Sequence, residues 1–185
     1  LSMYQLTIEK GTKFYSDFSA KKFQLPKDDL SAQMYEFVEY KLAAQGFKAY
    51  EVSNYAQNGS ECRHNMGYWQ YQDYLGIGAG AHGRITRDKK IATMMIHSPE
   101  NWLQAVNEKG VGLQTYTELT EKEVHEERLM MGLRLVGGVS KHLVNNLEKL
   151  NEFKALGLLE EDAGKVRTTL AGRMLLNKIV FELLT

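Results

Sequence analysis

Apolar positions along this chain recur at two periods, near two residues in some stretches and near 3.6 in others, and the switches between them outline its elements. Residues 3–9 (Met-Tyr-Gln-Leu-Thr-Ile-Glu) predict a strand, broken by Gly11-Thr12. Residues 13–26 read as a loop in which Phe14, Tyr15, Phe18 and Phe23 are scattered anchors. A helix is predicted over 28–45: Asp28 or Asp29 can cap it, Leu30, Met34, Phe37, Val38 and Leu42 share one face, and Gly46 can end it. Residues 47–52 are strand-like again, and strand–helix–strand is the unit of a parallel sheet.

The pattern lapses over 54–72, a loop crowded with polar and aromatic residues, and residues 75–85 form a glycine-rich strand or turn. Residues 85–87 and 90–93 predict a hairpin about Asp88-Lys89. Ser98-Pro99-Glu100 then opens a helix ending near Gly110, with Ser98 as N-cap and Pro99 at its first position. The last third is mostly helical. Thr120-Glu121-Lys122-Glu123 reads as a capping box starting a helix to Leu135, stopped by Gly137-Gly138. Ser140 caps a shorter helix, and Leu147, Leu150, Phe153 and Leu156 line another that Gly157 stops. A hairpin about Asp162-Ala163-Gly164 and a helix over 170–184 complete a winged-helix-like order.

Composition narrows the function classes. The 185 residues carry 23 Lys+Arg against 23 Asp+Glu, which argues against a broad electrostatic grip on nucleic acid or anionic membrane. No apolar run reaches the roughly 18 residues of a membrane span. The single cysteine, Cys62, excludes an internal disulfide and fits a reducing, cytoplasmic setting. The chain opens inside an apolar, β-prone run without an initiator Met, so it reads as the C-terminal part of a longer protein, since a lone strand is unstable without a partner.

Candidate chemistry concentrates at Arg63-His64-Asn65-Met66-Gly67-Tyr68-Trp69 and the following Leu75-Gly76-Ile77-Gly78-Ala79-Gly80-Ala81-His82-Gly83. The His64 imidazole can ligate haem iron, Tyr68 and Trp69 can stack on or wall a porphyrin, and Asn65 can fix the loop. The same motif also reads as a buried polar histidine in an aromatic corner. Gly76-x-Gly78-x-Gly80 is a weak match to a phosphate-cradling loop because no helix follows it. A strand whose small residues admit a ligand to its backbone is the better reading. Cys62 alone cannot hold an iron–sulfur or zinc site and reads as a partly buried thiol. Glu123, Glu126 and Glu127 read as a solvated helix face. On the candidate recognition helix, 140–156, Glu148 and Glu152 offset Lys141, Lys149 and Lys154, so nucleic acid is not an expected partner.

At these motifs the chain resembles the oxygen-independent coproporphyrinogen III oxidase-like radical SAM family, in its haem-chaperone branch. The stretches that carry the resemblance are Leu1-Ser2-Met3-Tyr4-Gln5-Leu6-Thr7-Ile8-Glu9-x-Gly11-Thr12, Tyr50-Glu51-Val52-Ser53-Asn54-Tyr55-Ala56, His64-Asn65-x-x-Tyr68-Trp69, Tyr74 to His82, and Thr169-Leu170-Ala171-Gly172-Arg173-x-Leu175-x-Asn177. The resemblance implies an α/β (α+β overall) fold. Residues 1–95 would be the C-terminal strands of a partial β/α barrel with the haem-motif loop, and 96–185 a helical, winged-helix-like C-terminal domain.

The resemblance further implies that the protein binds haem and passes it to an acceptor protein, membrane-associated or not. His64 would contact the iron, Asn65, Tyr68 and Trp69 would shape the site, and Gln5 and His82 would contact S-adenosylmethionine. The family's 4Fe–4S cluster is held by a Cys-x-x-x-Cys-x-x-Cys motif absent from this chain, which alone should not generate an adenosyl radical. Two alternatives stay open: oxidative decarboxylation of coproporphyrinogen III propionates in the complete protein, and a nucleic-acid-binding module built on the tail.

Overall fold

Three small antiparallel sheets organise the chain. The computed structural model describes residues 1–185. They fold as two units, Leu1–Glu61 and Cys62–Thr185.

In the first unit, helix α1 spans Lys13–Ser19 and α2 spans Asp28–Ala43. Thr12 caps α1 by accepting from the Tyr15 N–H at 3.2 Å, and Phe23 packs against Phe14 and Phe18 with centroids 5.9 Å apart in each pair. The stretch 13–26 predicted as a loop therefore begins with a capped helix over Lys13–Ser19, and Thr12 marks its start rather than a break. On α2, Lys27 is the N-cap, and Asp28 and Asp29 lie in the first turn, where their charges favour the positive end of the helix. The helical period predicted there is real. Leu30, Met34 and Phe37 nevertheless remain 50, 54 and 60% exposed, so in this structure the period does not translate into burial.

After Gly46 (φ 79°), β1 (Lys48–Ala49) pairs antiparallel with β2 (Tyr55–Ala56). Buried Glu51 holds the turn between them by accepting from the Ser53 N–H at 3.1 Å and from the Asn54 side chain. The strand predicted over 3–9 is absent. Met3 N–H donates to Ser53 O and Tyr55 N–H to Leu1 O, both at 2.8 Å, a bridge centred on Ser2 and Asn54, and beyond it the chain has no ladder partner. No parallel pair forms, since every strand pairing in the chain is antiparallel.

The second unit begins with α3 (Arg63–Trp69). A sheet follows in the order β3 (His82–Thr86), β4 (Lys90–Met95), β5 (Leu113–Glu118), with α4 (Pro99–Lys109) between the last two strands. The hairpin about Asp88-Lys89 forms with Thr86 opposite Lys90, and Ser98 caps α4 as its spacing predicts. Strand β5 had no sequence signal. Five of its six residues are exposed, so it lacks the alternation that marks a half-buried strand. The boundary expected at 95/96 falls between β4 and β5, which pair with each other.

The remainder packs around one core. Helix α5 (Glu121–Gly132) starts with the full capping box predicted at Thr120 and Glu123. Strand β6 (Val139–Ser140) and a single 3-10 turn (Lys141–Leu143) precede α6 (Leu147–Ala155), so the short helix predicted from Ser140 is reduced to one turn, and the next helix forms as predicted with Asn146 as its cap. Strands β7 (Leu159–Asp162) and β8 (Lys165–Thr168) form the predicted hairpin through Ala163 and Gly164, both with positive φ (48° and 75°), as a two-residue primed turn requires. Helices α7 (Leu170–Met174) and α8 (Leu176–Leu184) divide at Leu175. Leu129, Leu133, Leu150, Phe153, Val166, Ile179 and Leu183 are all buried. Each fully buried side chain of this size contributes about 1.5–3 kcal/mol. The lysines of the candidate recognition segment are paired: Lys141 and Lys154 both bond Glu161, at 2.8 and 2.6 Å, and Lys149 bonds Glu152 at 2.9 Å.

Candidate functional site

One turn of helix separates His64 from Tyr68, so α3 presents both on the same face, and a second face carries Asn65 and Trp69. Tyr74, five residues beyond α3, completes the first face. Its ring lies 5.6 Å from the His64 ring at 60° and 5.4 Å from the Tyr68 ring at 74°, and Tyr68 in turn meets Trp69 at 5.1 Å and 72°. These edge-to-face arrangements place positive ring edges against negative faces. On the other side of Trp69 the Arg134 guanidinium lies 5.4 Å from the indole ring, a cation–π contact from the residue after α5's C-cap. The structure thus brings His64, Tyr68 and Trp69 together with Tyr74.

His64 is exposed, which overturns its reading as a buried polar histidine. No hydrogen bond ties up its ring nitrogens, leaving a lone pair for a metal in the neutral tautomer. Cys62 is likewise exposed rather than partly buried, and it caps α3 through its backbone alone. No group of three or more His, Cys, Asp or Glu side chains is placed to hold a free metal ion. Haem makes a smaller demand, because the porphyrin supplies four ligands and the protein one or two. An accessible imidazole with the Tyr74 ring beside it fits that demand.

The glycine-rich segment serves a different purpose from the one predicted. Tyr74 and Arg84 exchange backbone hydrogen bonds of 2.6 and 2.8 Å and close 75–83 into a loop. Inside it, a Cβ on Gly83 would sit 3.0 Å from Gly76 N and from Tyr74 O, and one on Gly76 would collide with the His82 carbonyl. Gly76 and Gly83 therefore admit neighbouring protein atoms, and for Gly83 the nearest is the Thr93 hydroxyl of β4, whereas Gly78 has open space beside it. Leu75 and Ile77 point outward, 66 and 83% exposed. His82 opens β3 with its side chain exposed, and Gln5 lies exposed in the extended lead of the first unit.

The sequence reading missed the network beneath α3. Glu127 is not a solvated carboxylate. It takes Arg84 in a bidentate pair, with Nε to Oε2 at 2.9 Å and the second nitrogen to Oε1 at 2.7 Å, and it accepts a short hydrogen bond from the Tyr71 hydroxyl. Burial pushes the Glu127 carboxyl up, but the hydrogen bonds from Arg84 and Tyr71 more than offset this and hold it below its ordinary value of 4.5. Burial, then the bond to Glu127, pushes the Tyr71 phenol well above its usual range, and the same carboxylate raises Arg84. Lys90 lies 4.6 Å over the Tyr71 ring and 2.8 Å from Asp73, which also accepts from the Thr86 N–H and hydroxyl. Lys90 and Thr86 together hold the Asp73 carboxyl far below the carboxylate range. The partners lie 43 and 56 residues from Glu127, too far for any local pattern to reveal them.

Comparison with known proteins supplies the family. Residues 119–175 match the HemN C-terminal domain. The chain is 36% identical over 205 residues to mouse radical S-adenosyl methionine domain-containing protein 1, mitochondrial, covering all of this chain and 46% of that protein. It is 33% identical over 188 residues to the heme chaperone HemW of Bacillus subtilis, covering 96% of this chain and 49% of that one. HemW of Escherichia coli is 33% identical over 193 residues, with 97 and 48% covered. The chain thus spans about half the length of the curated relatives it matches. Among solved structures, coproporphyrinogen III oxidase (HemN) from Escherichia coli, a radical SAM enzyme, superposes with a TM-score of 0.66 at 16% identity, covering 91% of this chain and 44% of that one, a likeness of fold. The mixed α/β fold, the C-terminal domain match and the relatives together place the chain in the HemN/HemW-like radical SAM family.

Proposed function

We propose that this chain carries the haem-contacting region of a haem chaperone, with His64 as the ligand to haem iron and Tyr68, Trp69 and Asn65 shaping its surroundings. The observation that supports this is the exposed, unbonded imidazole edge-on to Tyr74, on a helix whose same face carries Tyr68. His64 would supply an imidazole lone pair to haem iron, and the Tyr68 and Trp69 rings would offer flat apolar surface beside it. The open setting suits a carrier that must release its cargo to an acceptor protein. The similarity to proteins named as heme chaperones supports the same reading.

Gln5 and His82 are assigned to S-adenosylmethionine contact in the complete protein, and residues outside this chain to the 4Fe–4S cluster, since the single cysteine here cannot supply three thiolates. The proposed division into 1–95, the last strands of a barrel, and 96–185, the C-terminal domain, differs from the compact units, which part between Glu61 and Cys62. No helix is long and apolar enough to cross a membrane. We place the protein in the cytoplasm, although the name of the mouse relative makes that protein mitochondrial.

Ferric haem titration followed at the Soret band tests the reading. Saturable binding that His64→Ala weakens at least about tenfold, with a changed Soret position, is the expected result. Identical affinity and spectrum in the variant would remove His64 from the site.

A further inference from the structure

The residues around Tyr71 form a closed circuit of constraints. Helix α3 ends where Tyr71 turns into the left-handed region at φ 61°, a conformation that costs a non-glycine residue about 1 kcal/mol or more and persists only where its surroundings enforce it. Three sets of bonds enforce it. Within the turn, the Tyr71 N–H donates to Tyr68 O at 3.0 Å and the Gln72 N–H to Gly67 O at 2.9 Å. Below it, the Tyr71 hydroxyl donates to Glu127 of α5, and Glu127 is gripped by Arg84 of β3. Arg84 closes the circuit, because its backbone pairs with Tyr74, the residue whose ring faces His64.

We propose that Glu127 is a positioning residue for the haem motif. Its carboxylate ties α5 to both ends of segment 71–74 and so fixes how the Tyr74 ring stands against His64. The proposal rests on the reading of His64 as the haem contact, and it extends the site into the region that matches the HemN C-terminal domain, which includes Glu127. A bidentate Arg–carboxylate pair fixes geometry as well as energy, because both nitrogens must meet both oxygens in one plane. The side chains are sheltered, with Arg84 29% and Glu127 20% exposed, so water replaces the bonds poorly. Glu127→Gln keeps the shape but offers one acceptor oxygen to three donor groups, and Glu127→Ala removes the anchor.

Two measurements test this, on the wild type and on Glu127→Gln, Glu127→Ala and His64→Ala. The first is amide hydrogen exchange in the haem-free protein. In Glu127→Ala the amides of Gln70, Tyr71, Gln72 and Tyr74 should exchange about tenfold faster or more, with Glu127→Gln intermediate, while Leu150 and Ile179 in the α6–α8 core stay within about twofold. Unchanged exchange at 70–74, or an equal rise throughout the unit, overturns the positioning role.

The second is the Soret spectrum and affinity for ferric haem, at concentrations where every variant is folded by circular dichroism. Glu127→Ala should shift or broaden the band and weaken binding about fivefold, a change that a merely stabilising contact would not produce in folded protein. An identical band and affinity, where His64→Ala loses both, overturns the link to haem. If His64→Ala changes nothing, the His64 reading fails, and the exchange measurement alone decides whether Glu127 positions the segment.

Discussion

Replacing Tyr74 by Leu tests how the ring cluster works without disturbing its frame. The backbone of Tyr74 is held by its two hydrogen bonds to Arg84, which any residue can make, so the substitution removes only the ring. Two edge-to-face contacts are lost, at 5.6 Å to His64 and 5.4 Å to Tyr68. Such pairs contribute about 0.5–1.5 kcal/mol each when buried, and the lower end applies here because His64 is exposed, so about 1 kcal/mol disappears in all. Leucine keeps part of the apolar volume, which limits any further loss. If the rings hold the imidazole ready for iron, most of this reappears as weaker haem binding, about fivefold. Tyr74→Phe keeps both ring contacts and should bind within about twofold of wild type. The assay is a ferric haem titration of the three proteins, beside urea unfolding to verify that each is folded. Equal affinity for Tyr74→Leu and wild type would refute the idea that Tyr74 prepares His64.

Acid should loosen the α3 frame. The Glu127 carboxyl is held below its ordinary 4.5 in the folded protein, so its contribution is present above that value and is lost as pH falls through the lower folded value. Melting temperature should therefore drop below pH 4.5, and Glu127→Gln, which has no such proton to take up, should show a shallower acid slope. Parallel slopes would contradict the assignment. In the core, Ile179→Ala empties a fully buried site on α8 and should cost about 2–5 kcal/mol in chemical denaturation, whereas a loss under about 1 kcal/mol would mean that the site collapses around the smaller side chain.

Where one residue type forces one local geometry, the sequence pattern and the structure agree. Thr120 and Glu123 form their capping box, Ser98-Pro99 opens α4, Gly46 turns the chain with positive φ, and Ala163-Gly164 makes the tight hairpin turn. Disagreement arises where the outcome depends on partners remote in sequence. Residues 3–9 have the alternation of a strand, but a ladder needs a neighbour, and only the bridge at Ser2 finds one. Ser140 looks like a helix cap, yet the pairing of Val139 and Ser140 with Lys165 and Val166 draws it into a strand. Of the glycines at 76, 78 and 80, only Gly76 is pressed against backbone, the His82 carbonyl, while Gly78 has open space beside it.

The site divides in the same way. His64, Tyr68 and Trp69 were legible because ring chemistry is local, but the loop expected over 54–72 contains the helix Arg63–Trp69, whose short length and mixed polar and aromatic residues give no apolar period. Tyr74 stood only at the start of the stretch to His82 that carries the resemblance, and its place opposite His64 follows from the bridge to Arg84. Glu127 was misread because a carboxylate on a helix with other acidic residues looks solvated until a half-buried arginine 43 residues earlier is placed beneath it. Arg134 over Trp69 left no sequence signal at all.

The most direct measurement is the Soret titration of ferric haem with the wild-type chain and with His64→Ala, repeated on the complete protein. Saturable binding that the variant weakens at least tenfold, with a displaced band, is the predicted result. Binding by the complete protein with the same affinity and the same spectrum in both forms would contradict it, and would leave the exposed His64 face without a role in holding haem.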